Sequence, residues 1–353
     1  MTKAPVGILG ATGMVGQRFI QLLESHPWFE ITWLAASERS AGRTYADAAN
    51  WKLATPLPAN IASLIVSGAA PAQCTSPPPR MIFAALDSHA AAEIEPAYVA
   101  AGCIVISNSS ALRMNPHVPL LIPEVNPDHL ALLNQQASRT LNGGYIITNP
   151  NCSATGLAIS LAPLHRAFGV ERVFVATMQA VSGAGYPGVA SLDILGNVIP
   201  FIAGEEEKLE TEIQKMLGSM RDGEIEPAPI TVSAHCNRVP VEDGHTESVS
   251  IKLSTPATKE DVIAAWQAFR GGSRHLHLPS APAQPIIYTE LPDRPQPRLD
   301  IYAGRGMSTV IGRLRPCNLF DWKFTVLSHN TIRGAAGAAI LNAELLKAKG
   351  LLA

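Results

Sequence analysis

The sequence predicts an α/β chain: a doubly wound parallel sheet, followed by a second α+β unit built on a mixed or antiparallel sheet. Three observations carry that expectation. Short apolar runs alternate with helical stretches from residue 5 to about 107. A set of glycines spaced three apart joins the first run to the first helical stretch. After Asn151 the strands lengthen and become richer in β-branched residues.

In the first half, Val6–Leu9, Ile31–Ala35, Leu64–Val66, Met81–Ala85 and Cys103–Ile106 read as buried strands, with 14–25 and 90–101 as helices between them. Strands alternating with helices imply a parallel sheet covered on both faces and joined by right-handed crossovers. The Pro-rich stretch Thr75–Pro79 reads as a loop. Beyond the Tyr145–Thr148 strand, 153–168 and 205–217 read as helices and 172–180, 230–241 and 246–254 as longer strands. The closing stretch 332–348 reads as a helix whose small residues, Gly334 to Ala339, suit close packing on a sheet. There is no internal repeat and no low-complexity tract.

At 353 residues the chain has the length of two medium domains or one large one. Charged residues make up only 16 % against 47 % apolar, where about 25 % charged is typical. That excludes a disordered chain and points to surface covered by another subunit. The net charge of −2 leaves no basic excess for a phosphate backbone, so nucleic acid is not expected as a partner. No apolar run reaches the length of a membrane span, and the early glycines with Gln17-Arg18 argue against a signal peptide. The five cysteines are scattered and lack a CxxC pair. They suit a reducing cytoplasm and argue against a disulfide framework or a zinc knuckle, so no metal is expected.

The glycine set is Gly7-Ile-Leu-Gly10-Ala-Thr-Gly13-Met-Val-Gly16. Glycines there let the backbone turn sharply and approach a pyrophosphate, and the helix start offers free N–H groups at the positive end of its dipole. A strand before and a helix after are the context this motif requires, so the first unit reads as a Rossmann-type, dinucleotide-binding sheet. After the second strand comes Ser37-Glu38-Arg39-Ser40, then Arg43. An acidic residue here suits the ribose hydroxyls of NAD, whereas arginine and serine suit a 2′-phosphate. Glu38 keeps both open; the arginines and serines favour NADP.

The second chemical feature is Thr148-Asn149-Pro150-Asn151-Cys152-Ser153-Ala154-Thr155-Gly156, between a strand and a helix. Asn151 as N-cap places Cys152 in the first turn, where the helix dipole stabilises a thiolate and lowers the thiol pKa. Cys74, Cys103, Cys236 and Cys317 have no such setting and read as inert. Of ten histidines, His245 stands apart, because it falls just past the turn Pro240-Val-Glu-Asp-Gly244 between two strands, with Arg238 upstream. Glu205 to Glu207 open a helix striped by Leu209, Ile213 and Leu217. Read alone, they complement its dipole.

Five segments in register resemble the aspartate-semialdehyde dehydrogenase family in its archaeal and fungal branch. They are Asn149-Pro-Asn-Cys152-Ser, Met178-Gln179-Ala-Val-Ser-Gly-Ala-Gly-Tyr-Pro-Gly188, Gly204-Glu-Glu-Glu-Lys208, Asn237-Arg-Val-Pro-Val-Glu-Asp-Gly-His245-Thr-Glu and Asn330-Thr-Ile-Arg-Gly-Ala-Ala-Gly337. The likeness runs from Gly7 to the last helix. It implies NADPH-dependent reductive dephosphorylation of L-4-aspartyl phosphate to L-aspartate 4-semialdehyde, a step shared by lysine, threonine, methionine and isoleucine biosynthesis. It also implies an NADP-binding domain over 1–151 and 329–353, a catalytic and dimerisation domain over 152–328, and a homodimer or homotetramer.

Carried over position by position, Cys152 is the acyl-thioester nucleophile and His245 the acid/base. Gln179 orients substrate, Arg238 binds the α-carboxylate and Glu205 the amino group, with Glu206 as the alternative. Arg113, with Asn108 in the same segment, and Lys208 form the phosphate pocket. Gly10, Thr12, Gly13, Met14, Val15, Ser37, Arg39, Ser40, Ser182, Gly183 and Asn330 are the cofactor contacts. The chemistry agrees: an acyl phosphate is an activated carboxyl group, and a thiolate splits its reduction into two easier steps. A substrate with a carboxylate, a phosphate and an ammonium needs at least two cations and one anion, which these residues supply. Two other readings stay open, a related acyl-phosphate or acyl-CoA reductase such as a malonyl-CoA reductase, and a non-catalytic nucleotide-binding sensor or scaffold.

Overall fold

The computed structural model describes residues 2–352, which fall into two compact units. The first comprises the described residues of Met1–Leu121, Asp128–Asn149 and Ala335–Ala353; the second comprises Ile122–Pro127 and Pro150–Gly334.

The first unit is built on β1 (Ala4–Leu9), β2 (Phe29–Ala36), β3 (Val66–Gly68), β4 (Met81–Ala84), β5 (Ile104–Ser107) and β6 (Tyr145–Thr148). They form one sheet in the order β3-β2-β1-β4-β5-β6, every pair parallel. That is the doubly wound order, in which the sequence of strands reverses between β1 and β4 while all run the same way, and ligands bind outside the carboxyl ends at that point. Strands β3 to β6 are buried along their whole length, as a sheet covered on both faces requires. Leu9, Trp33, Ile82, Tyr98 and Val105 form one apolar cluster. Helices Met14–Leu23, Ser88–Ala100 and Gly337–Ala348 belong to this unit. Helix Gly337–Ala348 carries Glu344, which meets the buried His26 at 2.8 Å.

The second unit holds β7 (Val170–Gln179), a ribbon of β8 (Ser219–Arg221) and β9 (Glu224–Glu226), and β10 (Thr231–Arg238), β11 (His245–Leu253), β12 (Ile286–Thr289), β13 (Thr309–Pro316) and β14 (Trp322–Ser328). The main sheet is mixed, in the order β10-β7-β11-β14-β13-β12, with β10–β7 and β12–β13 parallel and the remaining pairs antiparallel. Along β11, His245, Glu247, Val249, Ile251 and Leu253 alternate inward. Helices Cys152–Phe168 and Lys259–Ala268 pack together, and Trp266 donates its indole N–H to the Ser160 carbonyl at 2.9 Å.

The two sheet types agree with the sequence expectation; several element boundaries shift by a residue or two, and three differences have a local cause. Residues expected to begin a strand at Leu64 instead close a turn, the Leu64 N–H bonding Ile61, and β3 starts at Val66. The strand expected to reach residue 241 ends at Arg238, ahead of Pro240, which has no N–H for a ladder. The closing helix opens with one π turn, Ile332–Ala336, before turning α-helical at Gly337. Among the described residues no helix is long and apolar enough to cross a membrane.

Candidate active site

Cys152 is the first residue of its helix. Asn151 sits in extended conformation before it, and its side-chain oxygen accepts the N–H groups of Ser153 at 2.9 Å and Ala154 at 3.1 Å. A cap of this kind stabilises the helix by about 1 kcal/mol. It also leaves the helix dipole directed at the sulfur, which favours an anion there. Gly334 lies against the nucleophile: a Cβ at that position would stand 2.7 Å from Cys152 Cβ.

Three strand ends bring the other groups in. Gln179 ends β7, Arg238 ends β10 opposite it in register, and His245 begins β11. His245 is thus the first ladder residue, and Gly244, at φ +103°, makes the turn a side chain would oppose. The Cys152 Sγ stands 3.1 Å from His245 Nε2. His245 Nδ1 accepts the Ala180 N–H at 3.1 Å, so the ring hydrogen of the neutral imidazole is on Nε2, aimed at the sulfur. Burial, together with the nearby Arg238 and His329, pushes the imidazole pKa down to about 3. The ring is therefore a neutral hydrogen-bond donor towards the Cys152 sulfur.

Arg238 is buried and donates through Nη1 to the Ala180 carbonyl at 2.8 Å. Burial lowers its pKa while the charges of Cys152 and Glu205 oppose that shift. Gln179 is buried, its amide donating to Thr177 Oγ1 at 3.3 Å. Gly183 leaves room beside the pair, since a Cβ there would lie 2.8 Å from Arg238 Nη1 and 3.0 Å from His245 Cε1. Ser182 donates to Asp243 at 2.7 Å and accepts from Asn330 Nδ2 at 2.8 Å; Asn330 Oδ1 in turn accepts the Gly244 N–H. This chain of bonds ties the 180–184 loop to the turn before His245.

Helix Glu205–Met216 supplies acids on two sides. Glu205 accepts from Asn151 Nδ2 at 2.7 Å and from Lys208 Nζ at 3.3 Å, so both of its oxygens are engaged beside the Cys152 helix. Glu206 faces elsewhere: it accepts the Cys236 N–H at 3.0 Å, and Glu210 accepts the Ala234 N–H at 3.0 Å. Strand β10 is a sheet edge, and these two carboxylates cover its outward N–H groups. Of the two glutamates the sequence left open, Glu205 is the one near the thiol.

The remaining expected residues lie in the first unit. Asn108 donates to the Ala84 carbonyl at 3.0 Å and accepts from Asn149 Nδ2 at 2.8 Å. Arg113 is buried and donates to the Asn108 carbonyl at 2.7 Å. Burial raises the nearby Glu95 carboxyl to about 7, against the opposing pull of Ser107 and Arg113.

The glycine turn sits at the carboxyl end of β1, beside the switch point. Gly10 has φ +85°, and a Cβ there would stand 2.5 Å from the Ala85 carbonyl oxygen after β4. A Cβ at Gly16 would stand 2.3 Å from the Gly10 oxygen. Gly13 caps helix Met14–Leu23 without a side-chain bond, and no acidic residue lies in its first turn. The helix N–H groups at Met14 and Val15, with Thr12 alongside, are therefore left for an anion. Ser37, Glu38 and Arg39 are exposed after β2 while Ser40 is buried, and Glu38 is held by Gln73 at 2.6 Å. An uncapped helix start, a cradle only glycine fits and an exposed Arg39 suit a dinucleotide carrying a 2′-phosphate. Among the described residues, no group of three or more His, Cys, Asp or Glu could hold a metal ion.

Sequence reasoning missed Gly334, Asp243, the Ala180 N–H and Glu212, whose Oε2 accepts the Asn151 N–H at 2.6 Å. A signal existed for Glu212 alone, seven residues and two turns beyond Glu205 on the same helix face.

A doubly wound sheet with a glycine turn and a cysteine–histidine pair at a capped helix start define a semialdehyde dehydrogenase. Two family models agree, "Semialdehyde dehydrogenase, NAD binding domain" over residues 5–133 and "Semialdehyde dehydrogenase, dimerisation domain" over 161–333. The chain is 49 % identical to the aspartate-semialdehyde dehydrogenase of Methanothermobacter thermautotrophicus, over 97 % of this chain and 98 % of that protein. It is 46 % identical to that of Cryptococcus neoformans, over 98 % of each. A crystal structure of aspartate semialdehyde dehydrogenase with NADP from Candida albicans superposes with a TM-score of 0.89 at 43 % identity, covering 99 % of this chain and 100 % of that one. The chain belongs to the aspartate-semialdehyde dehydrogenase family.

Proposed function

We propose that the chain catalyses the NADPH-dependent reductive dephosphorylation of L-4-aspartyl phosphate to L-aspartate 4-semialdehyde through a thioester on Cys152. The observation that carries this reading is the 3.1 Å approach of Cys152 Sγ to the Nε2 of His245 at a capped helix start. The thiolate attacks the acyl carbon, a C–S bond forms, and the C–O bond to phosphate breaks. The one proton the reaction consumes goes to the departing phosphate. NADPH, when bound, supplies a hydride to the thioester carbon. His245 holds its Nε2 proton towards the reacting centre, where oxygen becomes anionic, and collapse of that adduct returns the thiolate.

Arg238 takes the role of carboxylate anchor, for which its planar fork is suited. Glu205 is the acceptor for the substrate ammonium, beside Lys208; Gln179 orients the acyl group; Arg113 with Asn108 and Lys208 receive the phosphate. Gly10, Thr12, Gly13, Met14, Val15, Ser37, Arg39, Ser40, Ser182, Gly183 and Asn330 contact NADP. The doubly wound unit serves as the NADP-binding domain and the mixed-sheet unit as the catalytic and dimerisation domain. Oligomerisation is supported by the description of the second family model and by Leu192, Leu195 and Phe201, exposed at 91 %, 68 % and 70 %. Placement in a reducing cytoplasm is supported by the five free cysteines.

The test mixes the protein with NADP, phosphate and aspartate semialdehyde and follows the NADPH absorbance band. The reading expects phosphate-dependent NADPH formation, lost in Cys152→Ala while NADP binding is retained. A Cys152→Ala variant with full activity, or malonyl-CoA reduced in preference to aspartyl phosphate, would overturn it.

A further inference from the structure

The residue before the nucleophile has every polar group engaged. Asn151 Oδ1 caps the helix, its carbonyl accepts from Thr155, its Nδ2 donates to Glu205, and its backbone N–H donates to Glu212 at 2.6 Å. The two carboxylates are seven residues apart on one face of helix Glu205–Met216, so that helix grips the start of the Cys152 helix at two points. The grip has an electrostatic cost, because two acids beside a sulfur that must be anionic oppose its ionisation. Each acid has a basic residue three positions on. Lys208 is 3.3 Å from Glu205, and Lys215, only 6 % exposed, feels the charge of Glu212. Burial pulls Lys215 down to about 8, and the Glu212 charge pulls it back up.

We propose that Glu212 is a positioning residue of the thioester chemistry: it fixes the Pro150–Asn151 peptide, directly before the nucleophile, through the Asn151 N–H, and Lys215 offsets its charge so that the thiolate survives. The inference rests on Cys152 being the nucleophile. The other titratable and charged groups around this helix start are His245, 3.1 Å from the sulfur, Arg238, which feels the Cys152 charge, and Glu205 with Lys208, which hold the Asn151 side chain. Burial opposes ionisation of two buried neighbours, pushing the Glu247 carboxyl on β11 well above its ordinary value and the Cys236 thiol on β10 up to about 12.

The experiment measures the pH midpoint of iodoacetamide alkylation at Cys152 by peptide mass spectrometry, beside kcat and KM, in Glu212→Gln, Glu212→Ala and Lys215→Met. Glutamine keeps an acceptor for the N–H and removes the charge, so its midpoint should fall by several tenths of a pH unit with kcat within about threefold of wild type. Lys215→Met leaves the acid uncompensated, and its midpoint should rise by a similar amount. Glu212→Ala should lose kcat by about 10- to 100-fold with KM little changed, since a misplaced nucleophile slows chemistry. Midpoints that do not move in opposite directions in the Gln and Met variants overturn the proposal, as does a Glu212→Ala kcat equal to wild type. Alkylation needs no substrate, so it separates this failure from failure of the nucleophile assignment, which Cys152→Ala turnover reports.

Discussion

Removing the side chain of Asn151 should loosen the nucleophile before it touches anything else. Asn151→Ala deletes two accepted N–H bonds at the helix start and the bond to Glu205 at 2.7 Å. The cap accounts for about 1 kcal/mol and the bond to a charged group for about 1.5–3 kcal/mol. Allowing for overlap between them, the loss is about 2–4 kcal/mol. For a unit of this size, that lowers the melting temperature by about 5–15 °C. A shift of about 1 Å in the sulfur costs on the order of 100-fold in rate. The assay pairs scanning calorimetry with the pH-dependent alkylation of Cys152. Asn151→Asp is the control: it keeps the cap but sets a second carboxylate against Glu205, so alkylation at neutral pH should slow further than in the alanine variant. An alanine variant that melts within about 1 °C of wild type and alkylates at the wild-type rate refutes the reasoning.

Further consequences follow from the same geometry. His245 ionises in the unfolded chain near pH 6.5 but in the fold only at about 3. The unfolded state therefore binds the proton first, and stability falls as pH drops from about 6.5 towards 3, by up to about 1.4 kcal/mol per pH unit. Denaturation in urea at pH 7 and pH 5 should show that loss in wild type and a shallower one in His245→Gln; equal slopes contradict it. Gly183→Ala puts a Cβ 2.8 Å from Arg238 Nη1 and should lower kcat/KM at least tenfold. Gly185→Ala meets no atom within 4 Å and should cost stability through its φ of +71° rather than activity. Arg238→Lys keeps the charge and loses the fork, so KM should rise with kcat less affected; unchanged steady-state kinetics count against the carboxylate role. Glu247→Gln removes a carboxyl whose ionisation burial opposes, and should raise stability increasingly as pH climbs above the ordinary carboxylate range. A flat comparison of wild type and variant at pH 9 opposes that.

The parallel sheet was legible because its strands are apolar on both faces and its glycines stand where a strand must turn into a helix. Gly10 shows why: its φ of +85° and the Ala85 oxygen leave no room for a side chain. The helix start at Cys152 was legible through Asn151, since a cap acts on residues two and three positions away and leaves a local mark. The second unit was legible only in part. Strands β12, β13 and β14, between residues 286 and 328, were not assigned from sequence; in β13, Gly312 and the register shift between Gly312 and Arg315 break the alternation. The grip of Glu212 on Asn151 joins residues 61 positions apart; the seven-residue spacing from Glu205 marks a shared helix face but not the partner it holds. Glu205 and Glu206 look alike in sequence, and only the position of the β10 edge tells which one it occupies.

The most direct test of the central claim is to trap the acyl-enzyme. Wild-type protein incubated with aspartate semialdehyde and NADP in the absence of phosphate, then quenched in acid, should carry an aspartyl thioester on the peptide containing Cys152. Added phosphate should discharge it. An adduct on Cys74, Cys103, Cys236 or Cys317 instead, or NADPH formed in a burst with no adduct on any cysteine, would contradict the account.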